Sequence, residues 1–358
     1  MHLLLLLPIE IWREHILQCV ALVDIVEASS ACCNHQLQLK FRSVTNGLTL
    51  HSYVAACTVH AEKLQWCLSR NILISSLSIF EEIDEKTVYL VSRIRTMVTH
   101  LTLLKSTQRF IPTDFARLVY LQFFKCPLQS VGNLLECPHL ITLSLKECHY
   151  LTYESLLTSL SGCTQLKECS IESCKLLDQR SIPLLWKQFP RLVSFQFERT
   201  YRHRSLLSTT EETCNLNCAG SSCMTSVILS GCFASNLGVQ QIATQFPRLQ
   251  KLHLDDSTSN ASDVDVEFLC RHCTQLSDLA LRRFDLLSSA ALVFVAKHLP
   301  VLQRLNVAFC MNITDEGVLA VANSCAQLKS LDISYCVDIT NESVQHVLAG
   351  AQLQESLM

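Results

Sequence analysis

The sequence predicts an α/β solenoid: a curved stack of short strand–helix units, entered through a short helical segment. Three observations predict it. The first is a repeat. Leu302, Leu305, Val307, Cys310, Ile313, Thr314, Val318 and Val321 return 26 residues later as Leu328, Leu331, Ile333, Cys336, Ile339, Thr340, Val344 and Val347. Periods of about 20 to 50 residues mark stacked repeats. The second is a change of period inside each unit. An alternating Leu-x-Leu core has the spacing of a strand, and a stretch such as Val318-Leu-Ala-Val-Ala that of a helix. The third is composition. Hydrophobic residues make up 49% of the chain, while glycine and proline number only eight each. That is ample for a continuous core and argues against a long disordered segment.

Composition narrows the function classes. A solenoid grows along one axis, so 358 residues need not imply several domains. Net charge is −3, with no dominant basic face or tail. No nucleic acid and no membrane partner is expected on that ground. The apolar run Leu3 to Leu7 is five residues long, shorter than the roughly 7 to 15 of a signal peptide, and no stretch reaches the roughly 20 of a membrane span. Several of the 20 cysteines fall at one fixed repeat position, which is a packing reason for a small apolar residue. Buried reduced thiols, and with them a cytoplasmic or nuclear location, are expected.

Residues 1–40 stand outside the repeat. Ile9, Trp12, Ile16, Leu17 and Val20 recur at helical spacing, with Pro8 suited to a first turn and Glu10 to the positive end of the helix dipole. A second short pattern, Leu22, Ile25 and Val26, begins beside Asp24, and Ala31-Cys-Cys-Asn-His follows. So small a helical unit tends to dock on something. Residues 41–75 are expected to be a helical junction or cap, carried by Val54-Ala-Ala-Cys57, Leu64 and Trp66-Cys-Leu68.

From residue 76 the frame L-x-x-L-x-L-x-x-C recurs about eleven times. Leu77 and Ile79 form a weak first strand. Leu121 and Phe123, Leu143 and Leu145, Cys169 and Ile171, Phe195 and Phe197, Val227 and Leu229, Leu252 and Leu254, and Leu279 and Leu281 follow in frame. Spacing widens to 32 residues between Phe195 and Val227, an insertion near 200–222 that contains Tyr201-Arg-His-Arg204. Strands stack about 4.8 Å apart and helices about 8 to 10 Å, so the stack must curve with its strands on the concave side.

These units resemble the cysteine-containing subclass of leucine-rich repeats, in their length, their cysteine after the strand and their Ile-Thr-Asp turn, as in Cys310-Met-Asn-Ile-Thr-Asp. The resemblance implies a leucine-rich-repeat horseshoe. Residues 7 to about 40 resemble an F-box: Leu7-Pro8 with Glu10, the pair Ile16-Leu17, Asp24-Ile25 and Cys32 or Cys33. Asn34 and His35 depart from the basic and aromatic residues usual after that cysteine. Together the two resemblances point to the F-box leucine-rich-repeat proteins. They imply a target-recognition subunit of an SCF-type ubiquitin ligase, partnered by a Skp-family adaptor and a cullin. Leu7, Pro8, Ile9, Ile16, Leu17, Leu22, Ile25 and Val26 would dock on the adaptor and the repeat arc on a protein target. The alternative is a repeat scaffold or inhibitor without ligase association, its first residues acting as a cap.

No Gly-rich phosphate loop, H-E-x-x-H or G-x-S-x-G motif is present, so neither a catalytic residue nor a cofactor is expected. Cys270-Arg-His272-Cys273 reads as a repeat boundary. Cys214, Cys218 and Cys223 have near-zinc spacing but no evident fourth ligand, so no metal is expected. The frame places Glu168, Glu172 and Glu198 outward as an acidic patch. It places Lys251, His253, Arg282 and Arg304 outward as a basic strip interrupted by Asp255 and Asp278. Asn306, Phe309, Asp332 and Tyr335 follow, with Arg283 just beyond its strand. Aligned on neighbouring strands, these make a candidate protein-recognition surface.

Overall fold

The structure, a computed structural model, describes residues 49–50, 53–56, 61–80, 83–105, 115–127, 129, 137–199, 223–232, 236–255 and 261–350. The F-box-like segment with its eight adaptor-docking residues, and the insertion at 200–222, lie outside the described residues.

Among the described residues, twelve strands form one parallel sheet, and each pairs with the next repeat along the chain. They are β2 (Tyr53–Ala56), β4 (Ser76–Phe80), β5 (His100–Leu104), β6 (Tyr120–Phe124), β7 (Thr142–Lys146), β8 (Glu168–Glu172), β9 (Ser194–Glu198), β10 (Ser226–Ser230), β11 (Lys251–His253), β12 (Asp278–Ala280), β13 (Arg304–Asn306) and β14 (Ser330–Asp332). A two-residue pair, β1 (Thr49–Leu50) with β3 (Leu73–Ile74), stands apart. The helices are α1 (Ala61–Leu68), α2 (Glu85–Ile94), α3 (Tyr153–Ser159), α4 (Ser181–Gln188), α5 (Asn236–Gln245), α6 (Asp263–His272), α7 (Ser289–His298), α8 (Asp315–Ser324) and α9 (Asn341–Gly350). Helices α5 to α9 pack side by side in order, as the strands do. The sheet lines the inner curve of a horseshoe and the helices its outside.

The strands form because the apolar residues alternate. In β5 to β10 the second and fourth residues are buried, and the first, third and fifth lie on the open face. Leu143, Cys169, Phe195, Val227, Leu252, Leu279, Leu305 and Leu331 occupy one register row. All are almost fully buried, each worth about 1.5 to 3 kcal/mol of burial where the side chain is large.

A shared turn follows seven of the described strands. The residue before the cysteine position is left-handed in seven repeats: Lys125, Glu147, Ser173, Gly231, Arg283, Phe309 and Tyr335, with φ from 53° to 69°. The turn aims each amide at the next repeat. Glu147 N–H donates to the Glu172 carbonyl at 2.8 Å, Ser173 to Glu198 at 2.7 Å and Phe309 to Ser334 at 2.8 Å. The following thiol is buried and aims the other way. Cys126 Sγ donates to Leu103 at 3.3 Å, Cys310 to Leu281 at 3.2 Å and Cys336 to Val307 at 3.2 Å. A weak S–H donor thus adds a hydrogen bond to carbonyls of the preceding repeat.

The helix starts repeat the device. The first helical residue of one repeat accepts from the N-cap of the next. Asp263 accepts from Ser288 N and Oγ at 2.9 and 2.6 Å, Ser289 Oγ from Thr314 N at 2.9 Å, and Asp315 from Thr340 N and Oγ1 at 2.8 and 2.9 Å. These carboxylates also sit at the positive ends of helices.

The junction differs from the sequence expectation. Among the described residues of the junction, only Ala61–Leu68 is helical. Val54 to Ala56, expected in that helix, lie in β2 and pair with Ser78 to Phe80 of β4. The sheet therefore begins before residue 76. A full five-residue β4 would otherwise leave its outer hydrogen-bonding edge open, and the short run Tyr53-Val-Ala-Ala closes it.

Gly231 marks a tighter point than its neighbours. A Cβ there would stand 2.9 Å from the Arg199 carbonyl oxygen. Left-handed backbone alone is tolerated, since Ser173 and Glu147 adopt it. Gly231→Ala is expected to lower unfolding free energy in urea by about 2 kcal/mol, the left-handed penalty plus the close approach. Ser173→Gly is expected to change it by less than about 1 kcal/mol.

Candidate protein-recognition surface

The sheet register turns the open face into rows that run across the repeats. One row reads Thr142, Glu168, Ser194, Ser226, Lys251, Asp278, Arg304 and Ser330. The next, two residues on, includes Ile228, His253, Ala280, Asn306 and Asp332. Over the last four strands these rows line a cleft of about 430 Å³, bounded by Lys251, His253, Asp278, Arg304, Asn306 and Asp332.

Asp278 organises the cleft. Its Oδ2 accepts from Arg304 Nε at 3.0 Å and pairs with the Arg304 terminal nitrogen at 2.9 Å. Its Oδ1 lies 2.9 Å from His253 Nε2, and Lys251 Nζ is 3.7 Å away. The carboxylate is buried, while the Arg304 side chain remains 56% exposed. Beside the cleft, Asn306 Nδ2 donates to Asp332 at 3.0 Å. Beyond the strand ends an aromatic rim rises. Phe309 and Tyr335 stack at 4.2 Å and 14°, and the guanidinium groups of Arg282 and Arg283 each lie 4.9 Å from the Phe309 ring. Tyr335 is largely exposed.

Two comparisons bear on this architecture. A leucine-rich-repeat family profile matches residues 298–322. An internalin (inlF) from Listeria monocytogenes is similar in structure, with a TM-score of 0.54 at 16% identity over 94% of this chain and 95% of that one. A solved Rad7 and Elc1 complex from yeast is similar too, with a TM-score of 0.52 at 13% identity over 96% of this chain and 85% of that one. The fold is a leucine-rich-repeat solenoid.

In this solenoid the predicted site residues divide into groups. Lys251, His253 and Arg304 come together, but around a buried Asp278 that the sequence reading took for an interruption of a basic strip. The strip is therefore charge-compensated. Arg282 does not join it: β12 ends at Ala280, and Arg282 stacks on Phe309 in the following turn. Tyr335 likewise lies in the left-handed turn beyond β14. The acidic patch also divides. Glu172 and Glu198 are register partners, with Lys146 Nζ 2.7 Å from Glu172 Oε2. Glu168 lies at the other end of β8, roughly 13 Å along the strand by its rise per residue, and accepts from Thr142 Oγ1 at 3.1 Å. Phe309 and Asp278 are the residues the sequence reading undervalued. The leucine frame held the signal, since it sets Asp278 between Lys251 and Arg304 on adjacent strands.

The electrostatics follow from burial and partners. Desolvation pushes the Asp278 carboxyl upward, but the hydrogen bonds and charges of His253 and Arg304 outweigh it and hold the group at about 2. Burial pushes the thiols of Cys270, Cys273 and Cys310 up to about 12, so they stay protonated and non-nucleophilic at neutral pH. None of the fourteen described cysteines is bridged in a disulfide, and all but Cys223 are buried. His272 stacks on Phe268 at 4.0 Å while Cys273 donates to carbonyls of the previous repeat, so the pair does not converge on a metal. No cluster of three metal-ligating residues occurs among the described residues. Cys214 and Cys218 lie outside them. No helix among the described residues is long and apolar enough to cross a membrane.

The Asp278 network is testable through its pH dependence. Its folded pKa lies below the unfolded value of about 3.9, so the stability it adds is complete above that value and is lost as pH falls through about 2. In urea melts the advantage of wild type over Asp278→Asn should therefore shrink between about pH 4 and about pH 2. At pH 7 a double-mutant cycle of Asp278→Asn with Arg304→Ala should give a coupling of about 1 to 2 kcal/mol. An additive cycle would show that the pair contributes nothing.

Proposed function

We propose that this chain is the non-catalytic target-recognition subunit of an SCF-type ubiquitin ligase. The observation that carries the recognition half is the cleft over β11 to β14. There a buried carboxylate holds Lys251, His253 and Arg304 in fixed positions beside the Phe309–Tyr335 stack. Preset polar groups flanked by exposed aromatic and arginine side chains are what a protein interface uses for orientation and for affinity. Glu172, Glu198 and Lys146 extend the face with a second sign pattern, and Glu168 adds one further charge.

The ligase half rests on the F-box-like residues. Leu7, Pro8, Ile9, Ile16, Leu17, Leu22, Ile25 and Val26 would dock on a Skp-family adaptor and through it on a cullin. The yeast structure similar in fold is a two-protein complex, of Rad7 with Elc1, which supports reading this arc as a member of a complex. The chain would act by holding its target near a ubiquitin-charged enzyme, so that catalysis is proximity supplied by the scaffold. The protonated buried thiols fit that role, as does a reducing cytoplasmic or nuclear setting.

Co-expression with the Skp-family adaptor tests the assignment. The wild-type chain is expected to co-purify with the adaptor. Pro8→Ala with Ile16→Asp and Leu17→Asp should cut the recovered adaptor by about tenfold or more, as apolar anchors at a docking surface do. A wild type that fails to bind, or a variant that binds as well, would leave a protein-binding scaffold without ligase association.

A further inference from the structure

We propose a second docking surface, for an acidic segment of a partner protein, on the edge of the solenoid where β5 to β8 begin. The surface is separate from the concave cleft. It is an open cavity of about 490 Å³ whose floor is Val119 and Ile141 and whose walls include Arg117, His139, Gln165 and Lys167.

The repeat geometry makes this edge. Arg117, His139, Gln165, Arg191 and Arg248 occupy equivalent positions, one before the first leucine of the frame. Val119, Ile141, Lys167, Val193 and Gln250 follow one after that leucine. Backbone hydrogen bonds fix the second row. Val119 N–H donates to Thr99, Ile141 to Val119, Lys167 to Ile141 and Val193 to Lys167, each at 2.8 Å. Side chains of successive repeats are therefore held about 4.8 Å apart.

Charge distinguishes this edge from the rest of the sheet. On the open face and its turns, cations have carboxylate partners: Lys125 pairs with Glu147, Lys146 with Glu172, and Lys251 and Arg304 share Asp278. Neither edge row contains a carboxylate. Among the described residues, Arg117 and Lys167 are exposed and make no ion pair. Arg191 is bonded only to a neutral neighbour, its guanidinium donating to Gln165 Oε1 at 2.6 Å. A chain of net charge −3 thus gathers unmatched cations along one edge, around an apolar floor. Opposite charges on a partner would satisfy them, and an apolar side chain would cover Val119 and Ile141. Neither row carries a Phe, Tyr or Trp ring, the broad stacking platform that single-stranded nucleic acid uses. The apolar floor also gives a peptide side chain something that a phosphate backbone would not use.

Fluorescence anisotropy with the full chain tests the proposal. The probe is a labelled peptide of about twelve residues alternating Asp and Leu, compared with the same peptide carrying Asn for Asp, at about 50 and about 300 mM salt, where screening differs strongly. Wild type, and a Lys297→Glu control on the outer helix α7, should bind the acidic peptide saturably and the Asn peptide at least about fivefold more weakly. Arg117→Glu with Lys167→Glu should weaken acidic-peptide binding by about tenfold, and Arg117→Gln with Lys167→Gln by about threefold, with the thermal melt unchanged since both side chains are exposed. Higher salt should weaken the wild-type complex. The proposal is overturned if wild type does not bind the acidic peptide, if it binds the Asn peptide equally, or if the charge-reversed chain binds as wild type does. It is also overturned if an oligonucleotide of about twelve nucleotides or a phosphatidylserine vesicle binds this edge in preference to the peptide.

Discussion

Every strand in this solenoid depends on its neighbour for its main-chain hydrogen bonds. A two- to five-residue parallel strand has no partner within its own repeat, and an unpaired buried backbone group costs about as much as a lost hydrogen bond. The repeats are therefore stable only in register, and the same dependence recurs at each corner. The left-handed residue sends its amide forward to the next repeat, the cysteine thiol reaches back to the previous one, and the starts of α6, α7 and α8 supply an acceptor to the N-cap that follows. These are nearest-neighbour terms, as a one-dimensional stack requires.

That arrangement leaves most of the open face out of the main-chain framework. Alternate strand residues form the core, so the residues between them are left to chemistry. Where they could have repelled one another, a single buried carboxylate, Asp278, fixes two cations and an imidazole in place. The aromatic rim uses the turn itself. Because Phe309 and Tyr335 both occupy the left-handed position, their rings project side by side and stack. The same backbone device that ends a strand thus builds part of the candidate surface.

Much of the fold was legible in the sequence because burial repeats with a fixed period. The strand register followed from the leucine frame, and the curvature from the different widths of strands and helices. Val54 to Ala56 were misread because alanine and valine beside a helical run carry no distinguishing period over so few residues. Asp278 was misread for another reason: a polar residue in an outward position gives no sign of its burial until the neighbours on both adjacent strands are known. The edge at Arg117 and Lys167 was invisible, since the frame treats those positions as unspecified. The adaptor-docking residues were legible only as a resemblance to a short helical motif.

The central claim is that the concave face of this leucine-rich-repeat arc holds a protein target. Site-specific photo-crosslinking tests it most directly. A photoreactive amino acid replaces Gln196 or Ser330 on the open face, or Asn323 or Lys297 on the outer helices, and the chain is irradiated in cells. The account predicts that one and the same protein is captured from both concave sites, that the outer sites do not capture it, and that its ubiquitination falls when the chain is removed. Capture of that protein from the outer helices alone, or no common protein from the concave sites, would contradict it.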